Sequence, residues 1–201
     1  MTWDMLTVVG TIAFSISGAI VAMEEDLDIF GVLFLGFITA FGGGAIRNIL
    51  IGVPVSELWS QGLFFQVSFF SILLFVLFPN ILMKHWHSWG SFFDAIGLAS
   101  FAMQGALFAV EMGHPLSAVI VAAVLTGSGG GLIRDVLANR KPMVLHSEVY
   151  ALWALVGGLF IGMGWVTGGL GLFLLFVLLV FGRVCSYRFQ WKLPHRTIPS
   201  M

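Results

Sequence analysis

Apolar residues run along this chain in long blocks separated by short polar stretches. A membrane span needs about 20 mostly apolar residues. Seven blocks qualify, near 5–23, 29–51, 63–82, 92–112, 115–138, 148–166 and 169–188. Stretches such as Leu170 to Phe181 stay apolar without the period-two alternation of a barrel strand, so the pattern predicts helices. Seven such spans use most of the 201 residues. The expectation is one all-α transmembrane domain over 1–201, with short loops.

Composition sharpens this reading. Hydrophobic residues make up 59% and charged residues 9%, against about 25% charged in a soluble domain. Soluble enzymes, disordered chains and nucleic-acid binders are excluded. Nine Lys and Arg against ten Asp and Glu provide no basic surface for phosphate contacts. The single cysteine, Cys185, rules out an internal disulfide framework and cysteine-based metal centres. His85 and His87 are too weak a pattern for a metal site. There is no nucleotide-binding loop, catalytic triad or HExxH pattern, so neither an enzyme nor a cofactor is expected.

Orientation follows the basic residues. With the N-terminus outside, Lys84, Arg140, Lys141, Arg183, Arg188, Lys192 and Arg196 face the cytoplasm, and the outer loops hold no Lys or Arg. Arg47 and Arg134 fall within spans. The acidic first inner loop (Glu24, Glu25, Asp26, Asp28) counts little in this rule. Every tryptophan but Trp153 falls at an expected interface. The N-terminus lacks the basic n-region of a cleaved signal peptide, so a plasma-membrane, multi-pass protein is expected.

Shifted by 87 residues, the chain matches itself. Ser17 to Leu50 (SGAIVAMEEDLDIFGVLFLGFITAFGGGAIRNIL) lies without a gap over Gln104 to Leu137 (QGALFAVEMGHPLSAVIVAAVLTGSGGGLIRDVL). Gly42, Gly43 and Gly44 meet Gly129, Gly130 and Gly131; Arg47 meets Arg134, and Asn48 meets Asp135. Repeat one covers about 5–87 and repeat two about 92–168, with span 169–188 outside both. Each repeat holds three spans, and an odd number makes the second enter from the opposite side. The expected architecture is a 3+3+1 inverted repeat, common among transport proteins.

Three adjacent glycines cost a helix about 1 kcal/mol each relative to alanine, and irregular backbone in lipid survives only against protein or a water-filled cavity. The triplets therefore predict a kink or break facing a cavity, about 4–5 Å from the midplane, with freed carbonyls for a cation or N–H groups for an anion. The alternative is close helix packing, the role expected of Gly18 and Gly105. Arg47 and Arg134 follow the triplets by one turn. Each either lines a permeation path or is braced structurally. Glu57 is the candidate ion-pair partner for Arg47, and Glu148 for Arg134. Asp135 is expected to point away from Arg134, since neighbouring helical residues do not face each other. Thr39, Thr126 and Ser128 are candidate hydroxyl ligands that also suit bonding to their own helix backbone. Gln104 is expected to bond a neighbouring helix. Asp94 is a weaker candidate.

GGGAIRNILIG and GSGGGLIRDVLANRKP resemble the duplicated signature of bacterial membrane proteins related to the trimeric intracellular cation (TRIC) channels, also known as a glycine-transporter domain. The resemblance covers about residues 5–188. It implies a seven-helix protomer with two inverted repeats. In the channel branch it also implies a homotrimer with one pore per subunit, lined by kinked second and fifth helices and conducting chiefly potassium. Animal members carry a lysine-containing motif on the second helix and bind an inositol lipid; span 2 here has no lysine. The leading expectation is a TRIC-like monovalent cation channel or uniporter. The alternative is a carrier for glycine or a similar small solute, with an arginine holding its carboxylate. A third reading, a non-transporting scaffold, leaves the paired polar sites without a purpose.

Overall fold

The computed structural model describes residues 3–78, 86–146 and 149–191. Glu148, Lys84, His85, Lys192 and Arg196 lie outside them. Helices α1 (Trp3–Glu24), α2 (Ile29–Ile51), α3 (Gly62–Leu77), α4 (Trp86–Glu111) and α5 (Leu116–Leu137) are followed by one short turn, α6 (Met143–His146). Then come α7 (Tyr150–Gly162) and α8 (Gly168–Arg188). A 3₁₀ segment, Val55–Ser60, joins α2 to α3. Among the described residues five helices, α1, α2, α4, α5 and α8, are long and apolar enough to cross a membrane. α3 and α7 are apolar but shorter than the expected spans 63–82 and 148–166.

The loops repeat as the sequence does. Asp26 and Gly113, 87 residues apart, both adopt left-handed φ, at 53° and 73°. Each ends a helix through the same bond, Leu27 N–H to Ala22 O and His114 N–H to Ala109 O, both 3.0 Å. Gly52 and Asn139 repeat the device, with φ of 77° and 54°. There Val53 N–H donates to Asn48 O and Arg140 N–H to Asp135 O.

Four helices make the centre. α1 packs on α2 and α4, and α5 packs on α2 and α4. α3 lies against α1 and α2, α7 against α4 and α5, and α8 covers α4 and α7. The contacts set α1 antiparallel to α4 and α2 antiparallel to α5. On α1 and α4, Gly10 meets Phe101 while Gly97 meets Phe14. Phe14 and Phe101 themselves pack with ring centroids 5.3 Å apart, in a cluster with Ala40 and the half-buried Phe41.

The triplets do not break their helices: α2 and α5 run continuously through them. They form the crossing of α2 on α5. A Cβ on Gly43 would strike the Thr126 carbonyl oxygen, and one on Gly130 the Thr39 carbonyl oxygen. Gly129 lies against the Gly43 Cα, and Gly42 against Ile133. Two glycine surfaces let backbones approach and gain dispersion contacts that offset the helix-propensity penalty. Gly18 and Gly105 do the same between helices, the first against Leu35 and Thr39, the second against Ala122 and Thr126. Elsewhere Ser15 and Ser68 share a 2.7 Å hydrogen bond between α1 and α3. Trp153, the one tryptophan not expected at an interface, donates its indole N–H to Ser186 at 2.8 Å and packs under Gly182 on α8.

Gly130→Ala puts a methyl group onto a backbone oxygen that cannot rotate away, so it should lower stability by about 1–3 kcal/mol. Gly62→Ala enters open space and should change little. Thermal unfolding of both purified variants in detergent checks the contrast; equal melting temperatures would remove the tight crossing.

Candidate functional site

Each arginine that follows a triplet folds into a polar cage shared between the repeats. Arg134 is 1% exposed. Its Nη1 donates to Ser17 Oγ at 2.6 Å and to Asp94 Oδ1 at 2.9 Å. Its Nε donates to Asp135 Oδ1 at 2.8 Å. Asp135 Oδ2 also accepts from the Met143 N–H at 2.9 Å, tying α5 to α6. This corrects two expectations. Asp135 is a partner of Arg134, because the long guanidinium side chain curls back over its own turn. Asp94, taken as a weaker candidate, is the other carboxylate. Glu148 lies outside the described residues.

Arg47 is 5% exposed and sits in the counterpart cage. Nη2 and Nε donate to Asn48 Oδ1 at 2.8 and 3.1 Å, and Nη1 donates to Gln104 Oε1 at 3.2 Å. Gln104 passes the link to α1, donating to Thr7 Oγ1 at 2.8 Å. The guanidinium carbon lies 4.6 Å from the Phe108 ring centroid. Glu57 does not serve as the partner: it is exposed on the 3₁₀ segment, where a carboxylate stays hydrated at no desolvation cost.

The cages are equivalent by the 87-residue shift. Asn48 answers to Asp135, Gln104 to Ser17 and Thr7 to Asp94. Their charges differ. Two carboxylates face Arg134, whereas amides and an aromatic ring face Arg47. The third glycine of each triplet opens onto its cage. A Cβ on Gly44 would lie 3.9 Å from Arg47 Nη2, and one on Gly131 would lie 3.6 Å from both Arg134 Nη2 and Asp94 Oδ1. The triplets thus divide between packing and cage. Thr39, Thr126 and Ser128 each donate to the carbonyl four residues back, on Leu35, Ala122 and Val124, all at 2.6 Å.

Cavities adjoin both cages. At the Glu24 end, about 330 Å³ is lined by Ser17, Arg134, Asp135, Arg140, Lys141 and their neighbours. At the Thr7 end, a pocket of about 20 Å³ touches Arg47, Gln104, Gly44 and Phe101, and a wider one of about 270 Å³ lies between Arg47 and Ser117. Phe14 and Phe101 sit between the cages. Across the Glu24 end, Arg140 donates to Glu24 at 2.7 Å and to Glu25 at 2.5 Å. Burial works against the Arg140 charge, but these two bonds outweigh it and hold its proton more tightly than water does.

Sequence reasoning missed one buried charge. Arg183, counted with the cytoplasmic basic residues, is 1% exposed on α8, its guanidinium carbon 4.6 Å from the Tyr150 ring centroid. Its position inside the span, five residues before the end of α8, was the available signal.

Comparison with known proteins places this arrangement in a class. Several solved structures match nearly the whole chain, among them three TRIC neighbours. One, described under conductance through TRIC cation channels, is 34% identical with a TM-score of 0.84 and full coverage of both chains. A prokaryotic TRIC channel, crystallised in 0.5 M KCl, is 34% identical with a TM-score of 0.86, covering 95% of this chain and 98% of its own. A TRIC orthologue from Rhodobacter sphaeroides is 28% identical with a TM-score of 0.83, covering 93% and 97%. The molecule is a multi-pass α-helical membrane protein with the fold of the prokaryotic TRIC channels. The family described as "Glycine transporter" matches twice, over residues 4–80 and 91–168. The UPF0126 membrane protein YvgT of Bacillus subtilis is 66% identical over 197 residues, 98% of each chain. The inner membrane protein YadS of Escherichia coli K12 is 42% identical over 159 residues, 77% of this chain and 74% of its own. The chain belongs to this UPF0126 family of bacterial TRIC-like membrane proteins.

Removing one partner from a buried ion pair costs about 3–5 kcal/mol. Asp94→Asn should therefore lower the melting temperature far more than Arg140→Gln, whose partly exposed pairs contribute about 1 kcal/mol or less. Comparable losses would show that the Arg134 cage does not anchor the fold.

Proposed function

We propose that this chain is a monovalent cation channel or uniporter, with potassium as the main ion. Its path runs through each protomer between α2 and α5, passing both arginine cages. The carrying observation is the stacking of two polar cages along one bundle, with a cavity at each end. The whole-chain likeness to cation channels supports the same reading. The helices at the triplets are unbroken, so freed carbonyls have no part in it; Gly44 and Gly131 instead leave room beside the cages. The carboxylates of Asp94 and Asp135 attract a cation, and Arg134 positions them.

In this proposal seven spans form a 3+3+1 inverted repeat, α3 and α7 completing the two threes, within a homotrimer in the plasma membrane. The antiparallel packing of α1 on α4 and of α2 on α5 supports the inversion. Arg140 and Lys141 put the Glu24 end on the cytoplasmic side by the basic-residue rule, with the N-terminus outside. The aromatic pair Phe14 and Phe101 closes the path between the cages.

A second reading has one observation in its favour. Arg47 faces no carboxylate among the described residues, which suits a carrier that binds the carboxylate of glycine or a similar solute.

Purified protein in potassium-loaded liposomes separates the two. The channel reading expects potassium efflux that does not saturate and ignores external glycine. Silent potassium with saturable glycine uptake would make the protein a carrier. Phe101→Ala should raise potassium efflux severalfold in a folded protein; an unchanged rate would move the constriction elsewhere.

A further inference from the structure

The two cages hold the same cation in different fields. Arg134 meets two carboxylates within 3 Å. Arg47, also buried at 5% exposure, meets only neutral oxygens among the described residues, from Asn48 and Gln104. A guanidinium carries five N–H donors, and three bonds to side-chain oxygens leave two of them to be satisfied. A buried charge is ordinarily paired with its opposite. The counterpart cage shows what the pairing looks like here, with Asp135 where Arg47 has Asn48.

The guanidinium opens onto the cavity of about 20 Å³ at the Thr7 end. Its other walls include Thr11, Gln61 and Gln104, which bring hydroxyl and amide donors and no acidic group. Gly44 keeps it open, since a side chain there would grow toward Arg47 Nη2 from a Cβ 3.9 Å away. A pocket of this size takes one water-sized group. A carboxylate or a phosphate belongs instead to the wider pocket of about 270 Å³ that Arg47 also lines.

We propose that Arg47 and Gln104 hold a chloride-sized anion in this pocket. The bound anion does for Arg47 what Asp135 does for Arg134, so that the Thr7 end of the bundle carries no uncompensated positive charge. A cation moving past the site then meets a neutral pair. The inference rests on the cage and not on the transport reading, and its test uses no flux.

The test is thermal unfolding of the purified full-length protein in detergent, titrated with KCl against potassium methanesulfonate at constant ionic strength. The wild type should gain about 3–6 °C, saturating with chloride, as expected for a ligand reaching roughly tenfold its dissociation constant. Arg47→Gln should lose this dependence. Asn48→Asp keeps the arginine, supplies the carboxylate of the sister cage and should also melt at the same temperature in both salts. Arg140→Gln, remote from the pocket, should respond as the wild type does. A wild-type melting temperature indifferent to chloride would overturn the proposal. So would a chloride response that survives intact in folded Asn48→Asp.

Discussion

A guanidinium inside an apolar bundle has to be solvated by the protein, because lipid cannot do it. Much of the central architecture answers that requirement. Arg134 needs oxygen atoms from three directions, and it takes them from α1 (Ser17), α4 (Asp94) and its own helix (Asp135). Only an antiparallel α1 and α4 bring residues 17 and 94 to one level while placing residues 7 and 104 at the other. The second cage follows from the same geometry, with Gln104 relaying from Arg47 to Thr7.

The glycine crossing is what lets these helices stand close enough. Gly43 and Gly130 remove side chains where α2 meets the backbone of α5, and Gly18 and Gly105 do so where α1 and α4 meet α2 and α5. A bundle held apart by even one methyl group at each of these points would lengthen every bond in the cages. Packing and electrostatics are therefore one problem here, because a short arginine bond needs a close backbone.

Much of the fold was legible in the sequence. The expected span 29–51 is α2 to the residue, 115–138 runs one residue past α5 at each end, and 169–188 starts one residue after α8 does. Long apolar runs leave little else for the chain to do. Helix α4 begins six residues before the expected 92, because polar and aromatic residues at an interface stay helical without looking like a span. At the glycine triplets the sequence predicts a kink or break, with close packing as the alternative, and the helices run through them unbroken. Propensity registers what glycine loses within one helix, and the compensating contact lies on another helix that no local rule sees. The arginine partners failed for a related reason. Glu57 was chosen by nearness along the chain, yet bundle geometry selected residues 40 and 57 positions away, Asp94 and Gln104. Asp135 was lost to a rule about Cβ directions that a side chain as long as arginine does not obey. The 87-residue self-match carried information beyond helices, since turns, crossing and cages all follow it.

Each cage draws residues from both repeats. A chain of half the length would have to complete its cages by pairing with an upside-down copy of itself, and its two cages would then be identical. Joining the halves into one polypeptide frees each cage to change alone, and Asn48 opposite Asp135 is the record of such a divergence. The duplicated gene thus carries two sites descended from one, able to differ in charge without losing the shape that both inherited.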